Sequence, residues 1–358
     1  MRRRRSDVAD GGVTHPSQNH CPANRKNPVM NLDRRQLFGL AAGAASLSSV
    51  MGRASAQSFP TRPITMVVAF GAGGPSDVIG RILAEGMRET LGQPVIVENI
   101  AGASGTIGTG RVARADPDGY TLVLGNWATH VLNGPLFNLQ YDLFRDFEPV
   151  ALVSSDALIM VGRSKLPADD LNQFIAWLKQ NGEATQGTTG AGGISTVGGL
   201  LLQKETGAKF RFVPYRAGLV AAMQDLIAGR IDFMVDTVAN SLPQVRAHTI
   251  KAFAVTSEKR VANAPEVPTV DEAGWPGLRA LNWQAVFLPR GAPQPIVKIL
   301  NESITAALAA PVVQKRLAAV GQTIFPPSMQ TPSALAEFQQ AEIKKWWPIV
   351  REANLKAE

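Results

Sequence analysis

Cysteine is almost missing from this chain of 358 residues, since Cys21 is the only one. A single cysteine excludes an internal disulfide, and Cys21 falls in an N-terminal stretch without apolar periodicity. Histidine is also scarce, because only His130 and His248 lie beyond residue 56, far apart in the sequence. The sequence therefore predicts neither thiol chemistry nor a zinc site.

Residues 1–56 have the features of a leader that is removed on export. Arg34 and Arg35 precede an apolar run, residues 37–51, and an Ala54-Ser55-Ala56 cleavage pattern follows. The run is too short for a permanent membrane anchor, and the paired arginines leave the twin-arginine and Sec routes both open. Met30 is a better start than Met1, so we interpret residues 1–29 as untranslated or disordered, with a basic tail as the alternative. We expect a periplasmic protein that begins at Gln57.

Removal of the leader also removes the excess of positive charge. Residues 1–56 contain nine of the 36 basic residues and three of the 29 acidic residues, so 27 basic and 26 acidic residues remain. The basic character of the full chain is therefore a property of the leader. No basic stripe remains for a nucleic-acid partner.

Short β-rich runs alternate with helical patterns from Ser58 onward, which predicts an α/β fold with doubly wound sheets. About 300 residues exceed one comfortable core, so we expect two lobes joined by two hinge crossings, as in type II periplasmic binding proteins. Residues 57–157 plus 281–358 form the predicted lobe 1, and residues 158–280 form lobe 2. The two C-terminal helical patterns have no clear strand between them and are expected to pack on lobe 1.

Two glycine-rich turns follow predicted strands, one in each lobe. In "FGAGGPSD", residues 70–77, either Ser76 or Asp77 is expected to cap the next helix, and Asp77 is equally a candidate acceptor for a ligand hydroxyl or amine. In "GTTGAGGIST", residues 187–196, Ser195 or Thr196 is expected to cap a second helix. Two helix N-termini facing one cleft would hold a small anion on backbone amides.

Other loops that follow strands supply further candidates. Trp127 is either core packing or a wall of the ligand pocket, His130 is more typical of a packing residue than of a base, and Arg216 is a weaker candidate. The predicted ligand-binding residues are Phe70, Gly71, Ala72, Gly73, Gly74, Ser76, Asp77, Asn126, Trp127, Thr129, Gly190, Gly192, Gly193, Ser195, Thr196, Tyr215 and Asp236.

An ordered set of motifs over most of residues 59–353 resembles one protein family. "FPTRPITMVVAFGAGGPSDVIGRILAEGM", "LGQPVIVEN", "PDGYTLVLGN", "YDLFRDFEPVALV", "VPYRAG", "VTSEKR" and "PEVPTVDEAG" occur in this order. They are similar to the Bug-type solute-binding proteins of tripartite tricarboxylate transporters. The resemblance implies a hinge-closing protein, not an enzyme, that captures a small carboxylate or amino acid and delivers it to membrane permease subunits. We expect a monomer without a cofactor.

Two other functions compete with capture for transport. The first is an exported nicotinamide-dependent oxidoreductase, supported by "GAGG" after a strand and by Glu98 near the end of the next. Against it, Ser76 stands where the dinucleotide fingerprint requires Gly or Ala, and no acid–base pair is evident. The second is a ligand-binding sensor that docks onto a membrane receptor, which nothing in the sequence separates from a transport protein.

Overall fold

Residues 59–190, 193–215 and 218–355 are described by a computed structural model and belong to one compact unit, Ser58–Glu358. The predicted leader lies outside the described residues, as do two candidate site residues, Gly192 and Arg216. The signal peptide therefore remains a prediction.

Strands and helices alternate through most of the described chain. The strands are β1 (Ile64–Val68), β2 (Val95–Asn99), β3 (Thr121–Asn126), β4 (Phe147–Arg163), β5 (Thr185–Thr188), β6 (Arg211–Pro214), β7 (Phe233–Thr237), β8 (Ile250–Val255), β9 (Leu281–Pro289) and β10 (Thr323–Ile324). The α-helices are α1 (Pro75–Leu91), α2 (Thr106–Ala113), α3 (Asn133–Leu136), α4 (Leu171–Gln180), α5 (Ile194–Thr206), α6 (Leu219–Ile227), α7 (Val238–Arg246), α8 (Gln294–Ala309), α9 (Pro311–Ala319) and α10 (Pro332–Glu352). This pattern confirms the predicted α/β class.

The strands form one mixed sheet in which β2, β1 and β3 are parallel neighbours. Strand β9 pairs antiparallel with both β3 and β4, and β5 pairs parallel with β6 and β7. The parallel strands bring the carboxyl ends of β1 and β3 to the same edge, where the first glycine-rich turn begins. The antiparallel pairs of β9 and β4 differ from the purely parallel sheets that alternation alone predicts.

Strand β4 is the longest strand of the described chain and connects the two halves of the sheet. The sequence predicts that a second series of strands starts at "ALIMVGR", but the residues on either side of Ser155 form one continuous strand. Strand β4 pairs with β9 as far as Ala157 and with β7 from Leu158 onward. Strand β8 then runs along the same second half of β4.

The C-terminal helices cover the sheet on both faces. Helix α8 packs with α1 on one face, and α10 packs on the opposite face against β4, with Trp346 fully buried. The first predicted C-terminal helix is two helices, because Pro311 has no N–H to continue α8 and starts α9. Strand β10, between α9 and α10, pairs with Ser154 and Ser155, so the expectation of no strand there is wrong.

No single described helix is both long and apolar enough to cross a membrane, although α8 and α9 together meet those criteria across a 72° bend.

Candidate functional site

The first glycine-rich turn joins β1 to α1 and exposes its backbone. Residues 71–73 are exposed, and Gly73 has a φ of 80°, a conformation that side chains disfavour. Helix α1 starts at Pro75 with Gly74 as its N-cap, and no side chain caps it. The expectation that Ser76 or Asp77 caps the helix is therefore wrong, because Gly74 already occupies the cap position.

Asp77 instead holds the turn closed from within the helix. Its Oδ2 accepts a hydrogen bond from Gly73 N at 2.8 Å and from Arg81 Nε at 3.0 Å. Its Oδ1 lies 2.9 Å from both Arg81 NH2 and Asn99 Nδ2, and Asn99 Nδ2 also donates to Phe70 O. The Arg81 hydrogen bond above all lowers the pKa of Asp77 from 3.8 to about 2. Both carboxylate oxygens are therefore engaged within the protein.

The first turn of α1 presents free backbone donors. Among the described residues, no acceptor receives a hydrogen bond from the amide N–H of Ser76 or Asp77, whereas Val78 N donates to Gly74 O at 3.0 Å. Such unpaired N–H groups point out of a helix N-terminus and carry the positive end of its dipole. The arrangement is suited to a small anion.

A buried polar cluster lies beside this helix start. Asn126 Nδ2 donates to Ser76 Oγ, and Ser76 Oγ donates to Gln284 Oε1, both at 3.5 Å. Asn126 and Thr129 exchange hydrogen bonds, with Thr129 N to Asn126 Oδ1 and Asn126 N to Thr129 Oγ1 both at 2.9 Å. All four of these residues are buried. The structure thus brings three predicted residues, from α1 and the end of β3, together beside Gln284 of β9.

Sequence reasoning missed Gln284. It lies on β9, paired with Asn126 on one side and Ser154 on the other, and it is 1% exposed. The available signal was a long amide side chain within the otherwise apolar run "QAVFLP", because an amide is rarely buried in a strand without a partner.

Trp127 and His130 pack in the core. Trp127 is 2% exposed and lies edge-on to Trp346, with ring centroids 5.0 Å apart. The His130 ring stacks on Phe287 at 4.0 Å, and its Nδ1 lies 2.9 Å from Thr129 Oγ1. Burial lowers the pKa of His130 to about 3, so its imidazole is neutral at physiological pH. His130 therefore has the packing role that its isolation in the sequence favours.

The second glycine-rich turn joins β5 to α5. Gly190 has a φ of 101°, and Gly193 is the N-cap of α5 without a side-chain cap. The two hydroxyls hold the turn instead: Thr189 N donates to Ser195 Oγ at 3.1 Å, and Thr196 Oγ1 donates to Gly190 O at 2.5 Å. The expectation that Ser195 or Thr196 caps α5 is therefore wrong, because both lie inside the first turn and bond backward.

Tyr215 and Asp236 are each engaged within the second half of the sheet. The Tyr215 hydroxyl donates to Asp225 Oδ2 at 2.7 Å. Asp236 is fully buried and accepts hydrogen bonds from Asn240 Nδ2 at 2.7 Å and Ser241 Oγ at 2.6 Å, while burial raises its pKa. No hydrogen bond among the described residues joins either side chain to the Ser76 cluster.

Comparison with known families decides the class of this protein. The family model TctC, described as "Tripartite tricarboxylate transporter family receptor", matches residues 79–355. The chain belongs to the TctC family. The resemblance to Bug-type binding proteins drawn from the sequence motifs is thereby confirmed.

Individual relatives agree with the assignment of this chain to the TctC family. The "UPF0065 protein in the TAR-I ttuE-ttuC' intergenic region" of Agrobacterium vitis is 39% identical, over 83% of this chain and 86% of its own. The structure of MatC from Rhodopseudomonas palustris with bound malate is 37% identical, with a TM-score of 0.67, over 82% of this chain and all of its own. Periplasmic binding protein BugD is 36% identical, with a TM-score of 0.66, over 84% of this chain and all of its own. The two solved neighbours confirm the periplasmic binding protein fold.

Proposed function

We propose that this TctC receptor binds a small carboxylic acid in the periplasm and delivers it to the permease subunits of a tripartite transporter. The observation that supports the proposal is that the N–H groups of Ser76 and Asp77 have no acceptor among the described residues. These two groups lie in the first turn of a 17-residue helix, directly after an exposed glycine-rich turn. Malate bound to the relative MatC supports a dicarboxylate or hydroxy acid as the ligand. Because both oxygens of Asp77 are engaged, we assign the binding to the backbone rather than to that carboxylate.

The binding residues are proposed to come from two lobes. Lobe 1 comprises residues 57–157 plus 281–358 and supplies the turn at residues 70–77. Lobe 2 comprises residues 158–280 and supplies the turn that begins at Gly190 and ends at Thr196. Both turns precede helices that lack side-chain caps, which leaves their first N–H groups directed toward the bound acid. Closure of the two lobes around β4 and β9 would bring the two helix starts together and exclude water.

Malate binding to parent and variant proteins tests whether both turns contact the acid. We expect Thr196→Asp to weaken malate binding at least tenfold, because a carboxylate in the first turn of α5 repels the anion. Thr196→Val is the matched control: it also removes the hydrogen bond to Gly190 O but adds no charge, so its loss should be much smaller. Titration calorimetry gives both affinities. Solution scattering should show a smaller radius of gyration with saturating ligand.

Two results would contradict the proposal. If Thr196→Asp binds malate as tightly as the parent, the second turn does not face the ligand. If the scattering curve is unchanged by a bound acid, the lobes do not close on it.

Export and assembly are proposed on the sequence alone. We propose that a signal peptide is cleaved after Ala56 and that the mature receptor is a monomer. N-terminal sequencing of a periplasmic extract should give Gln57 as the first residue, and light scattering should give one chain. Protein that begins at Met30 in the membrane fraction would contradict cleavage.

A further inference from the structure

A cavity of about 680 Å³ lies behind the strands that connect the two halves of the sheet. Its floor contains Ser155 and Ala157 from β4 and Ala280 and Leu281 from the start of β9. Its apolar walls are Phe325, Phe338 and Met329, contributed by α10 and the segment before it. The volume is within the range of small-molecule sites.

This cavity lies on the opposite face of the sheet from the Ser76 cluster. On β9, Gln284 faces Ser76, whereas its neighbour Trp283 donates from Nε1 to Glu342 Oε2 at 3.2 Å in the cavity wall. Successive side chains of a strand point to opposite faces. The cavity is therefore separate from the site proposed for the carboxylic acid.

Two polar groups that line the cavity have unused hydrogen-bonding capacity among the described residues. Glu342 Oε2 accepts from both Trp283 Nε1 and Trp346 Nε1, at 3.2 and 3.1 Å, while Glu342 Oε1 has no hydrogen bond. The side chain of Ser155 is buried, 6% exposed, and its hydroxyl has no hydrogen bond within the described chain. A buried hydroxyl and a carboxylate oxygen without partners favour a ligand that carries N–H donors.

The charges that line the cavity are balanced. Of its four cations, Arg260 is paired with Glu272 and Arg279 with Asp271, both outside the lining. The two lysines, Lys259 and Lys345, are matched by two acids, Glu258 and Glu342. A lining without excess charge disfavours a dicarboxylate, so the cavity is not a second copy of the proposed acid site.

The two charged groups on α10 lie one helical turn apart and are not paired with each other. Glu342 and Lys345 are half-buried at positions i and i+3, and no ion pair joins them. Lys345 Nζ donates to Arg279 O and keeps further donors. Burial raises the pKa of Glu342 and lowers that of Lys345, because desolvation disfavours the charged form of each group.

From this arrangement we propose a second ligand site, for a zwitterionic amino acid with an apolar side chain. Its ammonium group would bind Glu342 Oε1 and the Ser155 hydroxyl, and its carboxylate would bind Lys345. Its side chain would pack on Phe325 and Phe338. One ligand then places an opposite charge beside each of these two groups and covers the apolar wall.

Titration of the full mature chain with L-phenylalanine, at saturating malate, tests the proposal. We expect one phenylalanine per chain, while phenethylamine, which lacks the carboxylate, and 3-phenylpropionate, which lacks the ammonium group, each bind at least tenfold more weakly. Glu342→Gln keeps an oxygen for the two indoles but removes the charge, so it should weaken phenylalanine binding at least tenfold and leave malate binding within twofold. Ser155→Ala, a smaller change, should weaken it severalfold.

Three outcomes would overturn the second site. The first is that the parent binds no phenylalanine at concentrations up to about 10 mM. The second is that a folded Glu342→Gln or Ser155→Ala protein binds phenylalanine with unchanged affinity. The third is that malate displaces phenylalanine in one-to-one competition. Malate binding is measured separately, so failure of the second site leaves the proposed function intact, and the reverse also holds.

Discussion

Asp77→Asn tests whether this carboxylate holds the first turn or contacts the ligand. The substitution removes the charge that attracts Arg81 and weakens the hydrogen bonds from Gly73 N and Asn99 Nδ2. We expect a less stable protein and a less ordered helix start. We also expect affinity to fall by the same factor for malate and for succinate, which lacks the hydroxyl, because the Asp77 oxygens are already occupied.

The size of the stability loss follows from the pKa of Asp77. A fall from 3.8 to about 2 corresponds to about 2.5 kcal/mol at roughly 1.4 kcal/mol per pH unit. The Arg81 side chain is 52% exposed, so solvent screening reduces this to about 1 kcal/mol, a fall of about 2–4 °C in melting temperature. Because the folded pKa is the lower one, the stabilisation is complete above pH ~4 and is lost as the pH falls through ~2. About half of it should remain at pH 3.

Urea unfolding of parent and variant at pH 7 and pH 3 measures this difference, and Arg81→Gln is the control that removes the same ion pair from the other side. Calorimetry with malate and succinate gives the ligand comparison. Equal stability of parent and Asp77→Asn at pH 7 would refute the structural role. A loss for malate tenfold greater than for succinate would show that Asp77 reads the ligand hydroxyl.

Two further predictions concern the packing around His130. In Gly125→Ala the new Cβ would lie 2.3 Å from the His130 ring, so the variant should unfold at a temperature several degrees lower than the parent. The control is Gly182→Ala, whose new Cβ meets no atom within 4 Å and which should melt like the parent. Equal melting temperatures of the two variants would contradict this prediction. Burial lowers the pKa of His130 from 6.5 to about 3, so stability should fall as the pH drops from 6.5 toward 3, by up to about 1.4 kcal/mol per unit. His130→Phe should make urea midpoints less dependent on pH in that window, and an unchanged dependence would show that His130 is protonated in the folded protein.

Local patterns predicted the elements of the fold better than their pairing. The alternation of β-rich and helical runs identified β1, β2 and β3 and the helices between them, since periodicity is a property of neighbouring residues. Strand β9 runs antiparallel to β3 and β4, and its partners lie more than 100 residues away in the sequence. Pairing over that distance leaves no local signal, so the sheet could not be recognised as mixed.

The candidate site shows the same division. The glycine turn and the polar end of β3 pointed to Ser76 and Asn126, which do meet. The role of Asp77 stayed open because it depends on Asn99, on another strand, and on the exact start of α1. From the sequence we expected the hydroxyl of Thr196 to cap α5. The hydroxyl instead donates to Gly190 O, because Gly193 occupies the cap position.

Strand β4 has a consequence for how this protein unfolds. Its 17 residues give β9 and β10 their partners in one half of the sheet and β7 and β8 theirs in the other. If either half unfolded alone, its part of β4 would lose its pairing partners, and the exposed sheet edges would be open to aggregation. The two halves should therefore melt in a single cooperative calorimetric transition, and neither half expressed alone should fold.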